Sequence, residues 1–332
     1  MSPSVPWSVL DLAHVYRGEG PADALRASVD LARRVEELGY VRVWYAEHHN
    51  MRHIASAATS VVIAHVAAHT STIRLGAGGI MLPNHAPLTI AEQFGTLASL
   101  HPGRIDLGLG RAPGGDRAVF AALRRHPADA ERFPDDVLEL QAYLGDTSRV
   151  PGVEATPGKG THVPLYVLGS STFGAQLAAA LGLPYAFASH FAPQQLTEAV
   201  ARYRAEFRPS AQLAEPHVIA GINVFAAETR EQARAQLEHA KRRRVRLFFG
   251  RGRQLSDDEV ELIVDSAEGQ RMLDMLRYTA VGTRDEVAAE LAAFARHAGA
   301  DELILASSAP DQAARLRTFE LVATARDRVA VT

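Results

Sequence analysis

The feature that most constrains this chain is a repeated alternation. Short β-branched, apolar runs recur along its length, separated by longer Ala-, Leu-, Glu- and Arg-rich segments of helical period. That pattern calls for parallel strands joined by crossover helices. Eight strand runs are predicted, at residues 5–11, 41–46, 73–78, 105–110, 165–168, 185–188, 217–226 and 302–306. Helical segments run into Gly39, Gly182 and Gly299 just before three of these strands, and glycine enters the left-handed turn that stops a helix at low cost. Eight alternations in 332 residues fit an α/β TIM (β/α)8 barrel of about 250 residues with insertions. An open doubly wound sheet usually has fewer strands. The surplus length falls after strand 4 (111–164) and after strand 7 (245–282), and no Gly/Ser-rich linker divides the chain, so one domain over 1–332 is expected.

Composition narrows the chemistry. A hydrophobic content of 47% supports a large core, and 35 Lys plus Arg against 38 Asp plus Glu leaves a net charge of -3. No overall basic field exists to draw nucleic acid or anionic lipid. The absence of cysteine removes disulfides, thiolate metal sites and thiol nucleophiles. No apolar stretch nears the roughly 20 residues of a bilayer span, and the first residues carry no basic-then-apolar leader. A cytoplasmic protein without nucleic-acid or membrane partners is the expectation. The basic run Lys241-Arg242-Arg243-Arg244 follows an acidic segment and reads as the solvated cationic end of a helix.

In a barrel of this kind the working residues stand just past the C-terminal ends of the strands. The second run empties into Glu47-His48-His49, a carboxylate able to orient an imidazole that titrates near neutral pH, as proton transfer requires. His53 follows His49 by four residues, so on a helix the two would share a face as metal ligands do. Neither His-Glu-x-x-His nor a His-x-His after the first run is present, Asp11-Leu12-Ala13-His14 standing there instead, and no metal is expected. The third run ends in Gly78-Gly79-Ile80, where paired glycines allow a flat ligand to approach the backbone or unusual torsions to form. After the fourth run, Pro113 takes the place of the third glycine of a dinucleotide fingerprint, leaving Arg111 among glycines as an anion-binding candidate. Gly169-Ser170-Ser171-Thr172-Phe173-Gly174 then opens a helical segment. Helix N-terminal amides with hydroxyls beside them bind phosphate, although an ordinary hydroxyl cap fits the same letters equally. With Arg111 one strand away, a phosphorylated ligand across the mouth is the economical reading.

Trp44-Tyr45-Ala46-Glu47-His48-His49, Met81-Leu82-Pro83 and Gly110-Arg111-Ala112-Pro113, in this order and spacing, resemble the bacterial luciferase-like flavin monooxygenases. The likeness is densest over 41–115, returns over 165–191 and is weak over 281–307. It implies a Gly78–Gly79 bulge with a non-prolyl cis bond, against which the flavin ring packs. Glu47, Ile80, Arg111, Ala112 and Pro113 are implied near the cofactor, and Gly169, Ser170, Ser171 and Gly174 at its phosphate, Ser170 standing where family members often have an acid. His48 is the implied catalytic histidine, with His49 beside it, while His53, Ser189, His190 and Phe191 line the substrate side. The implied reaction has two components. FMN reduced by a separate NAD(P)H:flavin reductase meets O2, and a C4a-peroxyflavin oxygenates a small organic substrate; a homodimer is implied as well. Two alternatives stand beside it: an F420-dependent reductase or dehydrogenase on the same barrel, and a non-catalytic flavin-binding protein.

Overall fold

Each of the eight predicted runs forms a parallel strand, and the strands close into a ring. The computed structural model describes residues 5–112, 115–250 and 253–329, with residues 326–329 described as backbone only. In chain order the elements are β1 (Trp7–Asp11), α1 (Pro21–Glu37), β2 (Arg42–Tyr45), α2 (Thr59–Ala67), β3 (Arg74–Met81), α3 (Pro87–Leu100) and β4 (Ile105–Gly110). There follow α4 (Arg117–Leu123), α5 (Phe133–Leu144), β5 (Leu165–Gly169), α6 (Thr172–Leu181), β6 (Tyr185–Phe187), α7 (Leu196–Glu206), β7 (Val218–Ala226) and α8 (Arg230–Phe249). The chain continues through α9 (Asp257–Asp265), α10 (Ala267–Leu273), β8 (Thr279–Gly282), α11 (Arg284–Ala298), β9 (Glu302–Ala306) and α12 (Gln312–Val329). Strands β1 to β7 pair in sequence, β7 pairs with β9, and β9 returns to β1, which completes an eight-stranded barrel.

The strands read as continuous apolar runs because both of their faces are buried. Outward residues such as Val9, Val43, Leu75 and Leu107 pack against Leu31, Ile63 and Phe94 of the helices. Inward residues Leu10, Trp44, Tyr166, Ile219 and Ile304 fill the barrel. The expected helix stops are present as left-handed glycines, at φ +75° for Gly39, +62° for Gly182 and +57° for Gly299.

Below that inner layer lies a buried ionic network built on the first residues of the strands. Arg42 donates to Glu302 at 2.8 Å, to Asp106 at 2.6 Å and to the Tyr166 hydroxyl at 2.8 Å. Arg74 also donates to Asp106, and Ser8 to Glu302. Burial opposes the charge on Arg42, but the two carboxylates more than offset it and raise its pKa above the ordinary value.

Three expectations need correction. A ninth strand, β8, lies inside the segment read as an insertion; it docks on residues 223–226 of β7, which outruns its β6 partner at 218–220. Strand β3 runs past Gly78 to Met81, with its register against β4 shifting between Ala77 and Ile80. Lys241 to Arg244 do not end a helix, because α8 continues to Phe249. Arg243 and Arg244 are half-buried rather than solvated.

Candidate active site

The loop after β2 carries the densest set of polar contacts at the barrel mouth. Glu47 is 1% exposed and accepts hydrogen bonds from His49 Nε2 at 2.8 Å, His85 Nε2 at 3.0 Å, the Met81 amide at 3.0 Å and Asn84 Nδ2 at 3.3 Å. Its own amide donates to the Gly79 carbonyl at 3.3 Å. Burial pushes the Glu47 carboxyl up, but the contacts with His85, His49 and Met81 outweigh it and hold the pKa below the usual carboxylate range. Glu47 therefore stays ionised and ties its loop to the end of β3. Its histidine partners are His49 and His85, not His48. Sequence reading missed His85, which is separated from Glu47 by 38 positions.

His48 is held through its backbone, whose amide donates to the Ser56 carbonyl at 3.2 Å. Its ring Nδ1 is buried without a hydrogen-bond partner. Burial lowers its pKa; the Glu47 charge opposes that shift and His49 adds to it, so the ring is neutral at pH 7. An unpaired buried polar atom costs about 1–3 kcal/mol, which favours any ligand able to hydrogen-bond there. His53 does not share a helical face with His49: residues 46–58 form no helix, and Asn50 is left-handed at φ +56°. The His53 carbonyl accepts from the Val15 amide at 3.0 Å, joining this loop to the β1 exit. Burial, with Arg243 and His48 nearby, brings the His53 pKa down to about 4.

The loop after β6 is less open to the mouth than expected. Ser189 is fully buried and donates to the Gly221 carbonyl at 2.6 Å. The His190 ring packs onto Gly221 so closely that a Cβ there would lie 2.4 Å from Nδ1. Burial, then Arg244 and His48, lower the His190 pKa to about 3. Phe191 is 46% exposed and meets the His190 ring edge-on at 5.0 Å.

At the end of β3 the Gly78–Gly79 peptide bond is cis. Gly78 keeps part of its surface open, whereas Gly79 and Ile80 are buried. The absence of side chains has a further cause that sequence reading missed. A Cβ on Gly78 would lie 2.8 Å from Trp44 Cβ, and one on Gly79 would lie 2.7 Å from the Gly108 carbonyl oxygen. The Trp44 indole fills the barrel beneath, and β3 must pass close to it.

Across the barrel, Arg111 leaves β4 and stacks on Phe173, its guanidinium carbon 4.0 Å from the ring centroid. Phe173 lies in the first turn of α6, whose N-cap Ser171 makes no side-chain cap hydrogen bond. Among the described residues no carboxylate pairs with Arg111, and no hydrogen bond engages the Ser170 or Ser171 hydroxyl. Tyr185 supports this turn: its hydroxyl donates to the Ser171 carbonyl at 2.9 Å, and its ring would lie 3.3 Å from a Cβ on Gly174. Gly169 packs against Gly174, with 3.5 Å from its notional Cβ to the Gly174 Cα. Ala112 is exposed beside Arg111, and Pro113 lies outside the described residues. No group of three or more His, Cys, Asp or Glu among the described residues could hold a metal ion, and no described helix is long and apolar enough to cross a membrane.

The mouth of this barrel thus joins a partly open glycine bulge, a buried neutral histidine and, at a helix N-terminus, an arginine with no carboxylate partner among the described residues. A family model for luciferase-like monooxygenases matches residues 6–302, and the chain belongs to that family. It is 44% identical over 329 residues to a luciferase-like monooxygenase of Escherichia coli strain K12, covering 98% of each. It is 34% identical over 295 residues to N-acetyl-S-alkylcysteine monooxygenase of Bacillus subtilis strain 168, covering 86% of this chain and 87% of that one. The crystal structure of apo-MsnO8 superposes with a TM-score of 0.88 at 37% identity, over 98% of this chain and 99% of that chain. Two more distant structures share the fold alone. An F420-dependent secondary alcohol dehydrogenase has 18% identity and a TM-score of 0.69, over 97% of this chain and 99% of that chain. The oxygenating constituent of 3,6-diketocamphane monooxygenase from Pseudomonas putida, in complex with FMN, has 15% identity and a TM-score of 0.68, over 96% and 97%.

Proposed function

We propose that this chain is the oxygenating component of a two-component system, taking reduced FMN from a separate NAD(P)H:flavin reductase and oxygenating a small organic substrate. The observation that carries this reading is Arg111, stacked on Phe173 at the start of α6 with no carboxylate partner among the described residues. A phosphate there would accept from the guanidinium, the Ser170 and Ser171 hydroxyls and the first amides of α6, with Gly169 and Gly174 leaving room for it. Gly78, Gly79, Ile80 and Ala112 would bound the ring. Reduced FMN, when bound, supplies the electrons that activate O2.

The protein's own residues orient, hold protons and exclude water. His48 Nδ1, buried and neutral, is placed to accept a hydrogen bond or a proton from a bound group. Glu47 keeps His49 and His85 in place and fixes the β3 end through the Met81 amide, which makes it a positioning carboxylate. His53 and Phe191 border the substrate side, and Ser189 and His190 shape its wall from beneath. A deazaflavin reductase is the weaker alternative, since the F420-dependent neighbour shares only the fold, while the Escherichia coli and Bacillus subtilis relatives at 44% and 34% identity bear monooxygenase names. Anaerobic titration of the purified protein with reduced FMN and reduced F420, followed by mixing with aerated buffer, tests the choice. FMN is expected to bind at least about tenfold more tightly, with O2 consumed by the loaded protein; preference for F420 and no O2 uptake would overturn the proposal.

A further inference from the structure

Helix α8 carries basic residues of two kinds. Lys241, Arg242 and Arg246 each reach a carboxylate, those of Glu238 at 2.7 Å, Glu261 at 2.5 Å and Asp257 at 2.5 Å. Arg243 and Arg244 reach none among the described residues, although both are half-buried. Arg243 extends to the β1 exit, where Nη2 donates to His14 Nδ1 at 3.4 Å and the guanidinium carbon stands 6.0 Å from the Tyr16 ring centroid. Among the described residues, Arg244 Nη1 meets only the sulfur of Met275, at 3.0 Å, a weak acceptor.

The carboxylates nearest this region, Asp11 and Asp311, act on Tyr16 but reach neither arginine. Arg315, which also acts on Arg243, is already paired with Asp11 at 2.8 Å. His14, His53 and His190 all feel these arginines and are held in their neutral forms by burial first and then by that positive charge. Burial pushes the Arg244 pKa down to about 10, and the adjacent Arg243 adds to the shift. Two neighbouring guanidinium groups partly removed from water without a counter-charge are unfavourable, and an anionic ligand would relieve that cost.

Their position identifies the kind of ligand. Arg111 and α6 sit at the exits of β4 and β5, whereas Arg243 touches the β1 exit, half the barrel circumference away. The single phosphate of FMN is accounted for at the first rim. We propose that Arg243 and Arg244 receive the anionic group of the substrate, so that the molecule oxygenated here is an organic acid of carboxylate or sulfonate type. This inference rests on the monooxygenase reading and adds the substrate class to it.

Calorimetric titration of hexanoate, hexane-1-sulfonate and hexan-1-ol into the FMN-saturated protein tests it, with FMN affinity measured separately for every variant. The two acids are expected to bind at least about tenfold more tightly than the alcohol, as for one charge-assisted contact, and to weaken as salt rises. The Arg243→Gln/Arg244→Gln double variant should lose that preference with its FMN affinity within about twofold of the parent, while Arg243→Lys/Arg244→Lys should retain most of it. Equal binding of acids and alcohol, or a preference that survives the double Gln change, would overturn the inference. So would acid binding seen only without FMN, which would place the acids at Arg111. Failure of FMN to bind, with an Arg243-dependent acid preference in the protein alone, would instead overturn the flavin assignment.

Discussion

At the N-terminal end of the barrel Arg42, Arg74, Asp106 and Glu302 satisfy one another and draw in Tyr166, Trp44 and Ser8. At the C-terminal mouth, Arg111, Arg243 and Arg244 have no described carboxylate, and His48, Tyr16 and Ser307 hold buried polar atoms without partners. One end is complete as folded protein. The other leaves polar groups unpaired among the described residues, at the end where a barrel of this class keeps its working residues.

Breaking the closed end should give the largest effect. Asp106→Ala takes from buried Arg42 one of its two carboxylates and from Arg74 the carboxylate it bonds, and is expected to cost about 3–5 kcal/mol in urea unfolding. Arg243→Gln/Arg244→Gln at the open end should leave stability unchanged or raise it. A smaller loss by that measure at Asp106 than at the arginines would erase the contrast. Next, His48→Ala should lower oxygenation by about 10²-fold with flavin binding retained, the loss expected for a proton-transfer group; unchanged turnover would favour a non-catalytic flavin binder. Gly108→Ala would bring a Cβ to 2.3 Å from the Ala77 carbonyl oxygen, and about 1–3 kcal/mol of destabilisation is expected by thermal or denaturant unfolding.

The smallest and most gradual effect is on pH dependence. His53 and His190 have folded pKa values of about 4 and about 3, below the roughly 6.5 of an unfolded histidine. Between those values the unfolded chain binds more protons than the folded one, so this contribution is fully present above about pH 6.5 and is lost as pH falls toward 4. Unfolding midpoints across that range should decline less steeply in His53→Gln than in the parent.

Much of the barrel was legible because buried parallel strands leave unbroken apolar runs, and because Gly39, Gly182 and Gly299 mark helix ends. Strand β8 was not, since four residues docked on the surplus length of β7 have no periodic signal of their own. The cis bond at Gly78–Gly79 was implied by family resemblance, but the role of Trp44 in excluding side chains there needed the packed interior. The site was legible by position and less so by pairing. Glu47 stood out beside His48, yet it bonds His49 and His85, because the turn that follows β3 brings Asn84 and His85 to it. Lys241 to Arg244 misled for a related reason: a run of letters does not say which arginines meet Glu261 and Asp257 and which turn toward His14.

The most direct test of the phosphate grip compares FMN with riboflavin, which lacks the phosphate, by fluorescence titration of the parent protein and of Arg111→Met. FMN should bind the parent at least about tenfold more tightly than riboflavin, and that advantage should largely vanish in the variant. Equal affinity for the two flavins in the parent, or an FMN advantage that survives the loss of Arg111, would contradict a cofactor held by its phosphate at this rim.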